Sequence, residues 1–347
     1  MSSRHVRYQA NSAEKGAALV VVLIVTTILV LMMGYISKIL ERRIELAQRA
    51  NTQLYAAAAI HAKANELTYL LATQRRSAAG ISLGSNQERL IRDGDGLWLF
   101  PYVGDELRLD GFYYQAEYQP SSDIDDGERK LMLSFALQDM AGLLPLNTSD
   151  PFWLKRWLQS QYVTLSMQSA LIDQLADYAD PDDWQRPAGA ERNTYIKEDK
   201  PPAKNFLLQS VAELHHVPAW AKYLNEQPAA LTRFSLRRSP TLNLNAVPHD
   251  LWLQLWPQSA DKLKLSRAEQ RWFYSDDQAL TLEPSLLTIA DEYMGLRPSR
   301  MIRFIVEAAG QSVQQRIRIG VARNIPYQSY METSVGREET TVNVSPE

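Results

Sequence analysis

The chain has no cysteine among its 347 residues. That absence removes a disulfide framework, Cys-ligated zinc, iron–sulfur clusters and thiol nucleophiles together. Histidine is scarce, with five in total, and no HExxH or other metal-ligand spacing occurs; the adjacent His215 and His216 cannot share one helical face. Neither a Walker A loop nor a GxGxxG string is present, which excludes a phosphate-cradling ATPase loop and a dinucleotide-binding turn. Charge of one sign is also lacking. The 37 Lys+Arg and 40 Asp+Glu leave a net −3, without the basic excess of a phosphate-backbone binder. No proline precedes Pro101, so nothing interrupts a long helix at the start of the chain.

What is present begins with Ala17 to Ile36, AALVVVLIVTTILVLMMGYI, a run without a single charge. Its 20 residues, at about 1.5 Å each, reach about 30 Å, the thickness of a hydrocarbon core. Residues 1–16 ahead of it carry Arg4, Arg7, Glu14 and Lys15, a local net +2. A secretory signal peptide shares this outline, but the apolar run exceeds a typical h-region and no small-x-small cleavage pattern closes it. It passes instead through Gly34 and Ser37 into a charged amphipathic stretch, which points to an anchored chain. Lys38, Arg42, Arg43 and Arg49 follow the span, so the positive-inside count leaves orientation open.

Ile36, Ile39, Leu40, Ile44, Ala47, Ala50, Leu54, Ala57 and Ala58 recur at helical steps, predicting one helix from Ala17 to about Arg75. The small side chains of Ala56 to Ala59 suit close packing, expected against the chain's own sheet. Gly80, Gly84, Gly94 and Gly96 mark a loop region before strand-like runs at 97–103, 111–119 and 130–138. From Leu143 to about Tyr293 the pattern is mainly helical. Residues 301–308 and 314–322 alternate around Gly310 as a terminal hairpin, and the polar tail is expected to be mobile. The order predicts an α+β fold: a long N-terminal transmembrane and amphipathic helix packed on a small antiparallel sheet, with a large inserted all-α domain. The expected boundaries are a leader at 1–16, the helix at 17–76, an α/β domain at 77–142, the inserted helical domain at 143–295, closing strands at 296–327 and a mobile tail at 328–347.

A charged leader ending in Lys15-Gly16, followed at once by Ala17 and an apolar helix, resembles the type IV prepilins and type II secretion pseudopilins. Further motifs narrow the resemblance to the large minor pseudopilin of type II secretion, the K component or GspK family. Gln138-Asp139-Met140-Ala141-Gly142-Leu143-Leu144-Pro145-Leu146-Asn147 resembles its Q-D-x-x-G-x-x-x-L-N segment. Asp177 to Asp183, then Gly189-Ala190-Glu191 and Tyr195, follow the family's acidic segment. Ser210-Val211-Ala212-Glu213-Leu214 looks like its S-x-x-E-L element, and Asn243-Leu244-Asn245-Ala246 like its N-x-N-T/A turn. The resemblance covers most of residues 15–323 and implies a pilin-like sheet.

It also implies cleavage between Gly16 and Ala17 by a membrane-embedded prepilin peptidase, N-methylation of the new terminus, and a leader that stays cytoplasmic. Most pilins carry a glutamate at the fifth position after the cut; here Val21 stands there, as is characteristic of the K component. A buried carboxylate in lipid costs several kcal/mol unless paired. In the family it pairs with a neighbour's terminal amine, so its absence suits a subunit at the fibre tip with none before it.

Other candidates sit in the inserted block. Asp173, Asp177, Asp180, Asp182, Asp183 and Glu191 supply enough oxygens for calcium, which takes six to eight; Asp180, Asp182, Asp183 and Glu191 are the candidate ligands. Solvated carboxylates capping a helix end would give the same pattern, and bound calcium is a property the family resemblance implies. Two stretches, 210–220 and 243–259, have a helix–hairpin–helix outline, but Pro218 and Pro257 replace the glycines that would offer N–H groups to phosphate. With 15 Lys+Arg against 19 Asp+Glu between Leu143 and Met294, protein contact is the better use of this block than nucleic acid. Seven of the eight tryptophans lie here, and Trp220 and Trp256 are candidate binding residues. Gly80-Ile81-Ser82-Leu83-Gly84 fits G-x-S-x-G, yet follows a helix where the nucleophile elbow needs a strand.

The expectation is a structural assembly protein and no enzyme: inner membrane, body in the periplasm, joining other minor pseudopilins to initiate or cap the pseudopilus and support export of other proteins. Alternatives are a minor pilin of a type IV pilus machine and a membrane-anchored periplasmic hydrolase using Ser82. Co-expression with a prepilin peptidase should yield an intact mass for a 331-residue product starting at Ala17, with one added methyl. An unprocessed chain, or a cut beyond Ile36, would refute the leader assignment.

Overall fold

The computed structural model describes residues 12–83, 106–119, 130–197, 200–322 and 325–332. The chain divides into two compact units, Met1–Ala58 and Ala59–Glu347. Helix α1, Ser12–Thr73, runs through the first and contributes its last turns to the second. Within the first unit the stretch from Leu19 to Ile36 keeps its apolar side chains exposed, and its most apolar window has a mean hydropathy of 2.8. This helix is long and apolar enough to cross a membrane. The Thr26 and Thr27 hydroxyls donate back to the Val22 and Leu23 carbonyls at 2.9 and 2.7 Å, so neither needs an outside partner in hydrocarbon.

In the second unit, Ile60, Ala64, Leu67 and Leu71 of α1 are buried at three- and four-residue intervals. Strands β1 (Ile81–Ser82) and β2 (Glu106–Leu107) form a small antiparallel pair. Strands β3 (Asp110–Tyr118) and β4 (Leu131–Asp139) match two of the predicted runs within a residue; the run at 97–103 lies outside the described residues. Lys63 Nζ lies 4.5 Å from the Phe135 ring centroid, which sets the end of α1 against β4.

The chain then leaves the sheet. Short elements follow: β5 (Leu144–Pro145), α2 (Phe152–Ser160), α3 (Leu165–Ala179), α4 (Arg192–Lys197), α5 (Pro218–Glu226), β6 (Phe234–Ser235), β7 (Leu242–Asn243), α6 (His249–Leu255), α7 (Ala260–Ala268), α8 (Asp276–Leu282) and β8 (Met294–Gly295). The insertion is therefore not purely α. The pairs β5–β6 and β7–β8 are parallel and two residues long, and several turns are 3-10. Its core is aromatic: Trp157 and Trp220 each meet Phe234 edge-on, at 5.3 and 5.4 Å between centroids.

The chain returns as β9 (Met301–Ala308), β10 (Gln311–Ala322) and β11 (Ile325–Glu332), completing an antiparallel sheet in the order β11-β10-β9-β4-β3. The last strand corrects the expected mobile tail from 328, because residues 328–332 pair with β10. In its register Gln328, Tyr330 and Glu332 stand opposite Arg318, Arg316 and Gln314, polar on polar, while Tyr327 and Ser329 stand opposite Ile319 and Ile317.

The insertion thus lies between two neighbouring strands, and one side chain joins its ends. Asp139, the last residue of β4, is fully buried. Its Oδ1 accepts from the Ala141 N–H at 2.9 Å and from the Ser299 hydroxyl, its Oδ2 from the Ser299 N–H at 2.9 Å and Asn243 Nδ2 at 2.9 Å. Beside it, Gln138 Nε2 donates to the Ala246 carbonyl at 2.8 Å, and a Cβ on Gly142 would come within 1.9 Å of that oxygen. The Q-D-x-x-G and N-x-N-A segments are therefore two halves of one clasp.

Each Asp139 oxygen receives an N–H donor, so an amide must turn its own NH₂ toward one of them whichever way it points. Asp139→Ala should destabilise by about 3–5 kcal/mol, and Asp139→Asn by at least about half of that. Urea unfolding of the full-length protein in detergent checks this; an Asn variant as stable as wild type would contradict it.

Candidate functional site

The acidic loop begins where α3 ends. Asp177 is fully buried, and Arg186 Nη1 donates to Asp177 Oδ1 at 2.6 Å and to Asp180 Oδ2 at 2.5 Å. The two carboxylates, Asp180 foremost, push the Arg186 guanidinium above its ordinary value. The Arg186 N–H also bonds Asp177 Oδ2 at 3.2 Å, and a Cβ on Gly189 would lie 1.8 Å from that oxygen, so the G-A-E glycine is a close-approach position. Asp182 Oδ1 accepts from the Trp184 N–H at 2.9 Å, and Asp183 Oδ1 from Asn205 Nδ2 at 3.0 Å. The buried Glu191 differs: its carboxylate has no side-chain partner, only the Arg192 N–H leaning on it, and Asp180 Oδ1 has none. Burial first, then the charges of Asp177 and Asp180, push the Glu191 carboxyl up.

The four expected ligands, Asp180, Asp182, Asp183 and Glu191, are thus neighbours in one loop without being gathered around a point. Among the described residues, no three His, Asp or Glu side chains form a group ready for a metal ion. The physical reason is Arg186, whose guanidinium supplies the counter-charge. The signal for it was in the sequence, since Arg186 is the one basic residue between Asp173 and Glu191.

The tryptophan candidates are corrected. Trp220 is fully buried and donates Nε1 to the Leu171 carbonyl at 2.7 Å. Trp256 is buried against Trp252, 4.5 Å between centroids. Both are core, because the insertion is built of short elements that need large side chains to fill the spaces between them. The expected hairpins resolve likewise: Pro218 and Pro257 occupy first helical positions, where a missing N–H is harmless. The S-x-x-E-L element is a capping box. Ser210 Oγ accepts from the Ala212 N–H at 3.2 Å, Glu213 Oε1 from the Ser210 and Gln209 N–H groups at 2.9 Å each, and Leu214 is buried beneath. Burial would raise the Glu213 carboxyl, but Lys204 and these N–H donors outweigh it and hold it below the usual range.

Gly16 and Ala17 fall in the helical backbone of α1, and Val21 is exposed on it. Ser82 lies in a two-residue strand after the helix, the reverse of the strand-to-helix order of a nucleophile elbow.

Residues 138–231, opening on Gln138 of the clasp, match the family model described as Type II secretion system (T2SS), protein K. Over that segment the chain is similar to the K family. No curated protein matches it in sequence. A chain of the crystal structure of the GspK-GspI-GspJ complex from the enterotoxigenic Escherichia coli type 2 secretion system is similar in fold. The likeness has a TM-score of 0.51 and 14% identity, covering 86% of this chain and 99% of that one. The clasp, the Gly189 close approach and the Ser210 capping box all lie within or start from the matched segment, so three of its motifs are structural solutions to holding the insertion.

Proposed function

We propose that the chain is anchored in the inner membrane by α1, with its body in the periplasm, and assembles with sibling minor pseudopilins at the pseudopilus tip, without enzymatic activity. The observation that carries this is the K-family segment rooted in the sheet of a chain that begins with an exposed apolar helix. That the similar structure is a complex of GspK with GspI and GspJ supports siblings as partners. Val21 in place of a membrane carboxylate supports the tip position, since no preceding subunit would be needed to neutralise it. Tagged full-length protein, purified in mild detergent from its native membranes, should bring down the type II minor pseudopilins. Recovery of type IV pilus subunits in their place would overturn the reading.

Calcium on the acidic loop is part of this proposal. The buried Glu191 carboxylate, without a side-chain partner, and Asp180 Oδ1 support it, with Asp182 and Asp183 alongside and backbone carbonyls and water completing the shell. The ion would take over from Arg186 as counter-charge. Millimolar calcium should raise the thermal melting temperature of the wild type and leave Glu191→Gln unmoved; a wild type that does not respond would sink the idea.

A further inference from the structure

Soon after the uncharged run of α1 come three cations, Lys38, Arg42 and Arg43, against one carboxylate, Glu41. All four side chains are exposed. Among the described residues none of the three cations has an ion-pair partner, whereas Arg49 further along is held by Glu45 at 2.5 Å. At about 1.5 Å per residue, Lys38 lies about 3 Å beyond Ile36, and Arg42 and Arg43 about 9 to 11 Å beyond it. Side chains of an α-helix tilt toward its N-terminus, so the two arginines reach back toward the apolar run. That brings them to the layer of about 5–7 Å that lipid head groups occupy on each side of the hydrocarbon. Lys38 and Arg42 are four residues apart and share a face, while Arg43 stands about 100° further round, so the three make a partial collar. The reading of α1 as an inner-membrane anchor puts this end of the span in the periplasm, where the positive-inside rule does not call for basic residues. Their charge needs another account, and phosphate has the matching sign at the matching depth.

We propose that Lys38, Arg42 and Arg43 bind the phosphates of anionic phospholipid head groups where α1 leaves the bilayer. Each guanidinium would pair a phosphate through two parallel N–H donors, and the ammonium would act as a point charge. The long side chains keep their stems on the apolar boundary and their charges at the head groups, which fixes the depth of α1 in the bilayer. This rests on the inner-membrane reading of α1.

Two measurements on the full-length chain test the anchor and the collar separately. In flotation assays, wild type and the combined variant Lys38→Gln, Arg42→Gln and Arg43→Gln should both float with vesicles of phosphatidylcholine, with or without phosphatidylglycerol. Native mass spectrometry in detergent, with the two lipids supplied equally, should show wild type retaining phosphatidylglycerol at least about tenfold over phosphatidylcholine. The combined variant should show less than about a twofold preference. Arg49→Gln, whose cation Glu45 already holds, should keep the wild-type preference. Inorganic phosphate at constant ionic strength should not displace the lipid; displacement would make the free ion the ligand and overturn the proposal. A wild type that floats but shows no preference, or a preference that survives the combined substitution, would also overturn it. So would a combined variant that keeps the preference yet loses the minor pseudopilins in the pull-down, because the collar would then meet protein. A wild type that floats with neither vesicle defeats the anchor reading, and the proposal with it.

Discussion

The second unit depends on a single buried carboxylate. A block spanning residues 140–300 interrupts a sheet whose strands β4 and β9 are paired from Ser134↔Glu307 to Asp139↔Ile302. Closing so long a loop between adjacent strands is entropically unfavourable, and the penalty grows only slowly with length, so the insertion's size matters less than how firmly its ends meet. Asp139 makes them meet. One oxygen fixes the exit through Ala141, both hold the return through Ser299, and Asn243 brings in the middle of the insertion. An ionised carboxylate is suited to this because it accepts at several sites and needs no donor of its own.

A second tie lies at the start of β3. Arg267 of α7 is 3% exposed, pairs with Asp110 Oδ2 at 3.0 Å and donates to the Val247 carbonyl at 2.8 Å. Arg108 holds the same carboxylate from the other side, at 2.5 Å. Burial lowers the Arg267 guanidinium to about 10, against the pull of Asp110, so this pair is held at a desolvation penalty that favourable packing must offset. Its value is positional: Asp110 belongs to the sheet and Arg267 to the insertion, and the two ties lie on different strands. A block pinned at both β3 and β4 cannot swing about either strand alone.

Much of this was legible in the sequence. The uncharged run, the β3 and β4 runs and the terminal hairpin carry periodicities that depend only on which side chains face water. The clasp motifs were legible as strings, but their pairing was not, because Asp139 and Asn243 are 104 positions apart and no local pattern links them. The roles of Trp220 and Trp256 were misread because an indole in a core and one in an interface look alike in sequence; only burial separates them. Strand β11, one face of which is polar on polar, was also missed. At the acidic loop the carboxylates stand out in the sequence, yet it is Arg186 that pairs two of them, Asp177 and Asp180, in the structure.

The apolar helix and the body offer unequal means of recognition. From Leu19 to Met33 the only polar side chains are Thr26 and Thr27, and both hydroxyls are spent on their own helix. That stretch therefore offers packing but no polar handle to a neighbour. The polar groups able to discriminate among partners lie beyond it, in the charged part of α1 and in the body. A partner-selecting surface works only if its elements hold their relative positions, and that is what Asp139 and Asp110 secure for the insertion.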